Sequence, residues 1–264
     1  METRNRIWVG LGVVVAASTA FYVGTTGQPG MVGMDHSMMT SAEGGEGGEG
    51  ATTADAIAND AVYLAQLAFI RGHLNVGVDL YRQGEEEASA THMKHPGDEL
   101  YTDLLPAIEV REASGFADQL EALATAVENK RPLPTVESAY SQLLEAITAA
   151  ENAVENQDAA MIGAVIFDLV STSAAEYDIA VGDNGALENE HEYQDALGFV
   201  RIARELLARL EGMTDNTAAV ASIREQLDLI MPIWPSLRAP QTLETDPSVL
   251  YGAAARIEFA TAGL

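Results

Sequence analysis

Residues 135–156 read Thr-Val-Glu-Ser-Ala-Tyr-Ser-Gln-Leu-Leu-Glu-Ala-Ile-Thr-Ala-Ala-Glu-Asn-Ala-Val-Glu-Asn. The apolar positions Val136, Tyr140, Leu143, Ile147, Ala150 and Val154 recur in steps of four and three, which lines them up on one face of an α-helix. The same period continues on both sides. Towards the amino terminus it predicts helices over Phe116–Asn129, Asp98–Ile108 (bent at Pro106), Glu85–Lys94 and Asp55–Gln83. The last of these carries Val62, Ala65, Phe69, His73, Val76 and Leu80 on one stripe. Towards the carboxyl terminus the helices are Asp158–Val181, Glu188–Glu211, Asn216–Met231 and Pro247–Phe259. No window alternates with the period of a strand, and Ala, Leu and Glu dominate. Gly84, the Lys130–Pro134 segment and Gly182-Asp183-Asn184-Gly185 punctuate the series. Short connections between amphipathic helices make antiparallel neighbours, so residues 54–264 are expected to form an all-α antiparallel bundle of eight or nine helices.

Two other segments precede the bundle. Ile7–Gly24 is an uncharged run of 18 residues behind Arg4 and Arg6, and as a helix it would be roughly 27 Å long against a hydrocarbon thickness of about 30 Å. It reads either as a membrane anchor continuing through Phe21-Tyr22-Val23, or as a signal peptide cut after the small residues Ser18-Thr19-Ala20. Both readings export the rest of the chain, to the periplasmic side of the inner membrane as an anchored protein or into the periplasm as a released one. Residues 25–53 are a tether: eight of the 29 are Gly, and Glu-Gly-Gly-Glu-Gly-Gly-Glu-Gly spans 43–50.

Charge and composition exclude several functions. The chain has 14 Lys and Arg against 40 Asp and Glu, a formal charge of −26. Phosphate backbones would repel it, so nucleic acid is not an expected partner. It has no Cys, which removes thiolate metal sites, disulfides and cysteine nucleophiles. Phosphate-binding glycine loops, Gly-x-Ser-x-Gly and His-Glu-x-x-His are absent, so no enzymatic activity is expected.

The histidines carry the remaining chemistry. His73 sits on the apolar stripe of its helix, where an imidazole needs a partner. It lies 11 residues before Gly84 and His95 lies 11 after, which puts the two level in an antiparallel hairpin. His92 precedes His95 by three and Glu99 follows by four, a ligand-like spacing on one helical face. The turn at 182–185 sets Glu176 level with His191 in the same way, and Asp195 follows His191 by four. Imidazole and carboxylate donors suit iron, zinc or copper(II). His73, His92, His95, Glu99, Glu176 and His191 are therefore candidate ligands of one metal site. The alternative is a set of hydrogen-bonded core histidines and helix-start carboxylates favoured by the helix dipole.

Four of the nine methionines, Met31, Met34, Met38 and Met39, surround His36 in the tether. Thioether sulfur selects copper(I). Gly33-Met34-Asp35-His36-Ser37-Met38-Met39 resembles the Met-Asp-His-Ser-x-Met segments of periplasmic copper-resistance proteins.

A second resemblance covers residues 176–199. Glu176-Tyr177-x-x-Ala180-Val181, Gly185, Asn189 and Glu192-Tyr193-x-x-Ala196-x-x-Phe199 resemble the extracytoplasmic helical region beside bacterial high-affinity iron permeases of the FTR1 type, and His95-Pro96-x-x-Glu99-x-Tyr101 fits the same pattern. The sequence has no Arg-Glu-x-x-Glu iron-transport motif. The resemblance thus implies the accessory region, a membrane permease as partner, and no transport activity of its own.

Two functions are consistent with these features: an envelope-exposed protein binding iron or copper as an accessory in metal uptake or homeostasis, or a non-catalytic helical adaptor of a membrane complex with no metal site. For the tether, a peptide covering Gly30–Thr40 is predicted to bind copper(I) in preference to zinc. Equal zinc affinity, or no loss when the four methionines become leucine, would contradict that.

Overall fold

The computed structural model describes residues 51–264, with Asp98, Glu99 and Asp183 described by their backbone alone. The expected membrane or signal segment and the copper candidates Met31, Met34, His36, Met38 and Met39 lie outside the described residues. Among the described residues ten α-helices follow one another: α1 (Thr53–Ala58), α2 (Asp60–Arg82), α3 (Glu86–His95), α4 (Tyr101–Val110), α5 (Ala117–Glu128), α6 (Leu133–Glu151), α7 (Ala159–Ala180), α8 (Glu190–Leu210), α9 (Thr217–Ile230) and α10 (Ser248–Thr261). Among the described residues the only β pairings are the isolated bridges Val181–Leu187 and Ala186–Thr242. The all-α bundle expected from the periodicity is the fold.

Three boundaries differ from the sequence reading, each for a local reason. The first predicted helix is two, because Asn59 takes extended backbone angles and its side chain accepts from the Ala61 and Val62 amides, capping α2. The helix over 135–156 stops at Glu151. There the Gln157 amide donates to the carbonyls of Glu151 and Val154, and Val154 stays buried although it has left the helix. Pro96, expected to break the chain, is instead the first residue of a π-turn, Pro96–Leu100, in which the Tyr101 amide donates to the Pro96 carbonyl. The wider turn keeps the chain helical from α3 into α4.

The centre of the bundle is α7, which packs against α8, α10 and α2. It is long and apolar enough to cross a bilayer, but 56% of that window is buried inside the protein, the position of a core helix. Ser173 on α7 donates its hydroxyl to the Ala196 carbonyl of α8 at 2.8 Å.

The crossing of α2 over α8 decides where the site lies. Gly72 and Gly198 face each other there: a Cβ on Gly198 would stand 2.5 Å from the Gly72 carbonyl oxygen, and one on Gly72 would meet the Phe199 ring at 2.5 Å. Two backbones without Cβ atoms approach more closely than any other pair of residues permits. Arg201 on α8 clamps the crossing by donating to Asn75 and Asp79 of α2 at 3.0 and 2.8 Å.

Gly198→Ala should therefore destabilise the bundle by about 1–3 kcal/mol, which lowers the melting temperature by roughly 2–4 °C per kcal/mol in a domain of this size. Gly97→Ala, whose added carbon meets nothing within 4 Å, is the matched control and should change stability by no more than about 0.5 kcal/mol. Equal melting temperatures for the two variants would refute the close crossing.

Candidate metal centre

His73 follows Gly72 by one residue, so the close crossing delivers its ring directly against the first turns of α8. Its Nδ1 lies 2.6 Å from Asp195 Oδ1, and both side chains are 1% exposed. From α3, His92 brings its own Nδ1 to 2.9 Å from the same oxygen. On the other side of the carboxylate, His191 Nδ1 is 3.0 Å from Oδ2 and 3.9 Å from Glu192 Oε1. The rings of His92 and His191 are stacked, with centroids 4.2 Å apart. That of His95 stands edge-on to His73 at 4.8 Å and is 6.4 Å from His191. Four imidazoles from three helices thus surround one buried carboxylate.

Sequence periodicity explains how a charge comes to lie there. On α8 the buried face runs through Glu192, Asp195, Ala196, Phe199 and Ala203, so Asp195 holds a position that a helix of this pattern would give to an apolar side chain. Asn189 caps the helix, accepting from the amides of His191 and Glu192 and donating to Glu192 Oε1 at 3.2 Å. The segment after α9 braces the same turns from outside: Trp234 Nε1 donates to the Tyr193 carbonyl, and the Ala239 amide donates to Glu190.

The electrostatics follow from burial. Burial by itself would raise the Asp195 pKa, but the charges of His73 and His92 and their hydrogen bonds outweigh it and hold the carboxyl far below the usual range. For His191, burial pulls downward, while the neighbouring carboxylates of Glu192 and Asp195 push the pKa up by more. Glu192 is lowered in spite of its burial by hydrogen bonds with His191 and with Glu176. Glu176, on α7, is itself buried beside Glu192.

Of the residues expected from the sequence, His73, His92, His95 and His191 come together, and Glu176 joins them through Glu192. Glu99 lies on the π-turn after His95, placed by its backbone. Sequence reasoning set Asp195 beside His191 without ranking it as a ligand, took Glu192 for a helix-start carboxylate, and passed over Gln194. The available signal was an aspartate four residues before Phe199 on the apolar stripe of its helix.

Gln194 fixes one tautomer. Its Nε2 donates to the Leu237 carbonyl at 3.2 Å, which can only accept, so its Oε1 is the atom that faces His92 Nε2 at 2.8 Å. His92 must carry a proton on Nε2 to make that bond. Its Nδ1, buried 2.9 Å from Asp195 Oδ1, then faces that oxygen through a second proton or through a cation.

Residues 153–263 match the family model of the iron permease-associated 4-helix bundle domain. The match spans α7 to α10, in which α8 and α10 each pack against both α7 and α9, and contains residues 176–199, whose resemblance to an iron-permease accessory region was read from the sequence. It contributes Glu176, His191, Glu192 and Asp195 to the cluster; His73, His92 and His95 come from helices before it. No curated protein and no solved structure matches the chain.

In the metal-free protein the cluster makes stability depend on pH from both sides. The lowered Asp195 pKa stabilises the fold above its unfolded value of about 3.9 and is lost as pH falls. The raised His191 pKa stabilises below about 6.5 and is lost as pH rises through the folded value. Wild type should exceed Asp195→Asn by about 3–5 kcal/mol, most between roughly pH 5 and 6.5. Urea unfolding across pH measures this, and a difference still growing at pH 8 would contradict it.

Proposed function

We propose that the protein is a non-catalytic accessory of iron uptake, tethered on the outer face of the cytoplasmic membrane beside a permease, that holds a transition metal on His73, His92, His191 and Asp195. His95, Glu192 and Glu176 stand next to these donors. The observation that carries the proposal is the forced tautomer of His92. Gln194 accepts the Nε2 proton, which is the outer-sphere arrangement that orients imidazole on a metal, and it leaves Nδ1, on the Asp195 side of the ring, as the nitrogen that would ligate. The spacing supports it too. Two donors at right angles, each about 2.1 Å from one ion, are about 3.0 Å apart, close to the separations found around Asp195.

Imidazole and carboxylate together suit iron, zinc or copper(II). The match to an iron permease-associated domain favours iron as the cargo and a membrane permease as the partner. Copper(I) belongs to a separate proposal for the methionine-rich tether, whose donors are of a different class. The negative charge of the chain raises the local cation concentration at its surface and favours capture.

Competition with a chromophoric chelator tests the reading on the full-length chain. Iron(II) binding should weaken about 10–100-fold in Gln194→Leu, which removes the support of His92 together with the bond to the Leu237 carbonyl and none of the proposed ligands. Exposed Glu121→Gln should leave it unchanged. If the wild-type chain binds no iron more tightly than its surface carboxylates do, the protein is an adaptor whose histidines are hydrogen-bonded core residues.

A further inference from the structure

Asp195 presents its two oxygens to different sets of donors. Oδ1 faces His73 and His92 at 2.6 and 2.9 Å, and Oδ2 faces His191 at 3.0 Å. The donor atoms of His73, His92 and Asp195 lie within 4.8 Å of one another, and so do those of His191, Glu192 and Asp195. A carboxylate with imidazoles on both oxygens has the form of a bridge between two ions, which in paired metal sites stand about 3.5–4 Å apart. We infer that the cluster is dinuclear: one divalent transition-metal ion on His73, His92 and Asp195 Oδ1, a second on His191, Glu192 and Asp195 Oδ2. This rests on the metal-binding reading above and adds to it the number of ions and their sharing of one aspartate.

Two further features support the second position. His191 Nδ1 lies 3.0 Å from Asp195 Oδ2 and 3.9 Å from Glu192 Oε1, so one nitrogen faces both carboxylates. Glu192 is backed by the buried Glu176 of α7, and Asp195 and Glu192 bring carboxylate oxygens to the second position. The two positions also differ in access. His73 and His92 are fully enclosed, whereas the His191 side chain is 22% exposed, so the His191 position is the outer of the two.

Cobalt(II), a spin-bearing substitute for iron(II), tests the inference on the full-length chain. After loading and gel filtration, elemental analysis should find two ions per wild-type chain, and the electron paramagnetic resonance of the first equivalent should change as the second couples to it. His73→Gln and Glu192→Gln should each keep one ion with an uncoupled signal, and Asp195→Asn should keep none. Circular dichroism checks that each variant remains helical, and the two single-position variants decide the matter if Asp195→Asn does not fold. One ion per wild-type chain overturns the dinuclear site and leaves the metal-binding proposal standing. Two ions retained by Asp195→Asn would place them on surface carboxylates and overturn the inference; none in the wild type overturns both.

Discussion

A single buried carboxylate, Asp195, organises the functional half of this molecule. Removing a carboxylate from water costs several kcal/mol, and here imidazoles from α2, α3 and α8 offset that cost. Each imidazole depends on a separate structural device. His73 arrives through the glycine-to-glycine crossing of α2 and α8, His92 is held by Gln194 and through it by Leu237, and His191 is set one helical turn before Asp195. Loss of the carboxylate would leave several buried imidazoles facing one another without a counter-charge. The requirement that Asp195 be surrounded therefore ties the first hairpin to the central helices more specifically than apolar packing would.

The chain divides unevenly around this point. The helices matched by the iron permease-associated model supply the carboxylates and one histidine, and the helices before the match supply the other three histidines. Neither part holds the full donor set. A four-helix bundle with Glu176, Glu192 and Asp195 alone would bury three carboxyls with few partners, which is unfavourable. The preceding hairpin completes the site and shields it, which explains why α2 lies so close to α8.

Much of this was legible in the sequence. Helical periodicity located nearly every element, since its signal is local and survives without tertiary information. Counting outward from Gly84 put His73 and His95 level, and their rings are 4.8 Å apart; the turn at 182–185 did the same for the Glu176 and His191 levels. Neither count could join the two hairpins, because their meeting depends on the Gly72–Gly198 approach, a contact between residues far apart in the chain. Asp195 was underrated because a helix-start carboxylate near His191 has an ordinary explanation in the helix dipole. Only its position on the apolar stripe distinguished it from Glu188 and Glu190. Asn59 and Pro96 misled in opposite directions. A side-chain cap ended a helix inside an unbroken apolar stripe, and a π-turn carried a helix through a residue that usually stops one.

The central claim is that Asp195 and its histidines form a metal centre rather than a metal-free ion-pair network. Anomalous diffraction at the iron edge from crystals of the iron-loaded protein tests it most directly. The account predicts anomalous density against Asp195, within about 2.0–2.2 Å of imidazole nitrogens of His73 and His92 or of His191. Anomalous density confined to surface carboxylates, with Asp195 still hydrogen-bonded to its histidines, would contradict it.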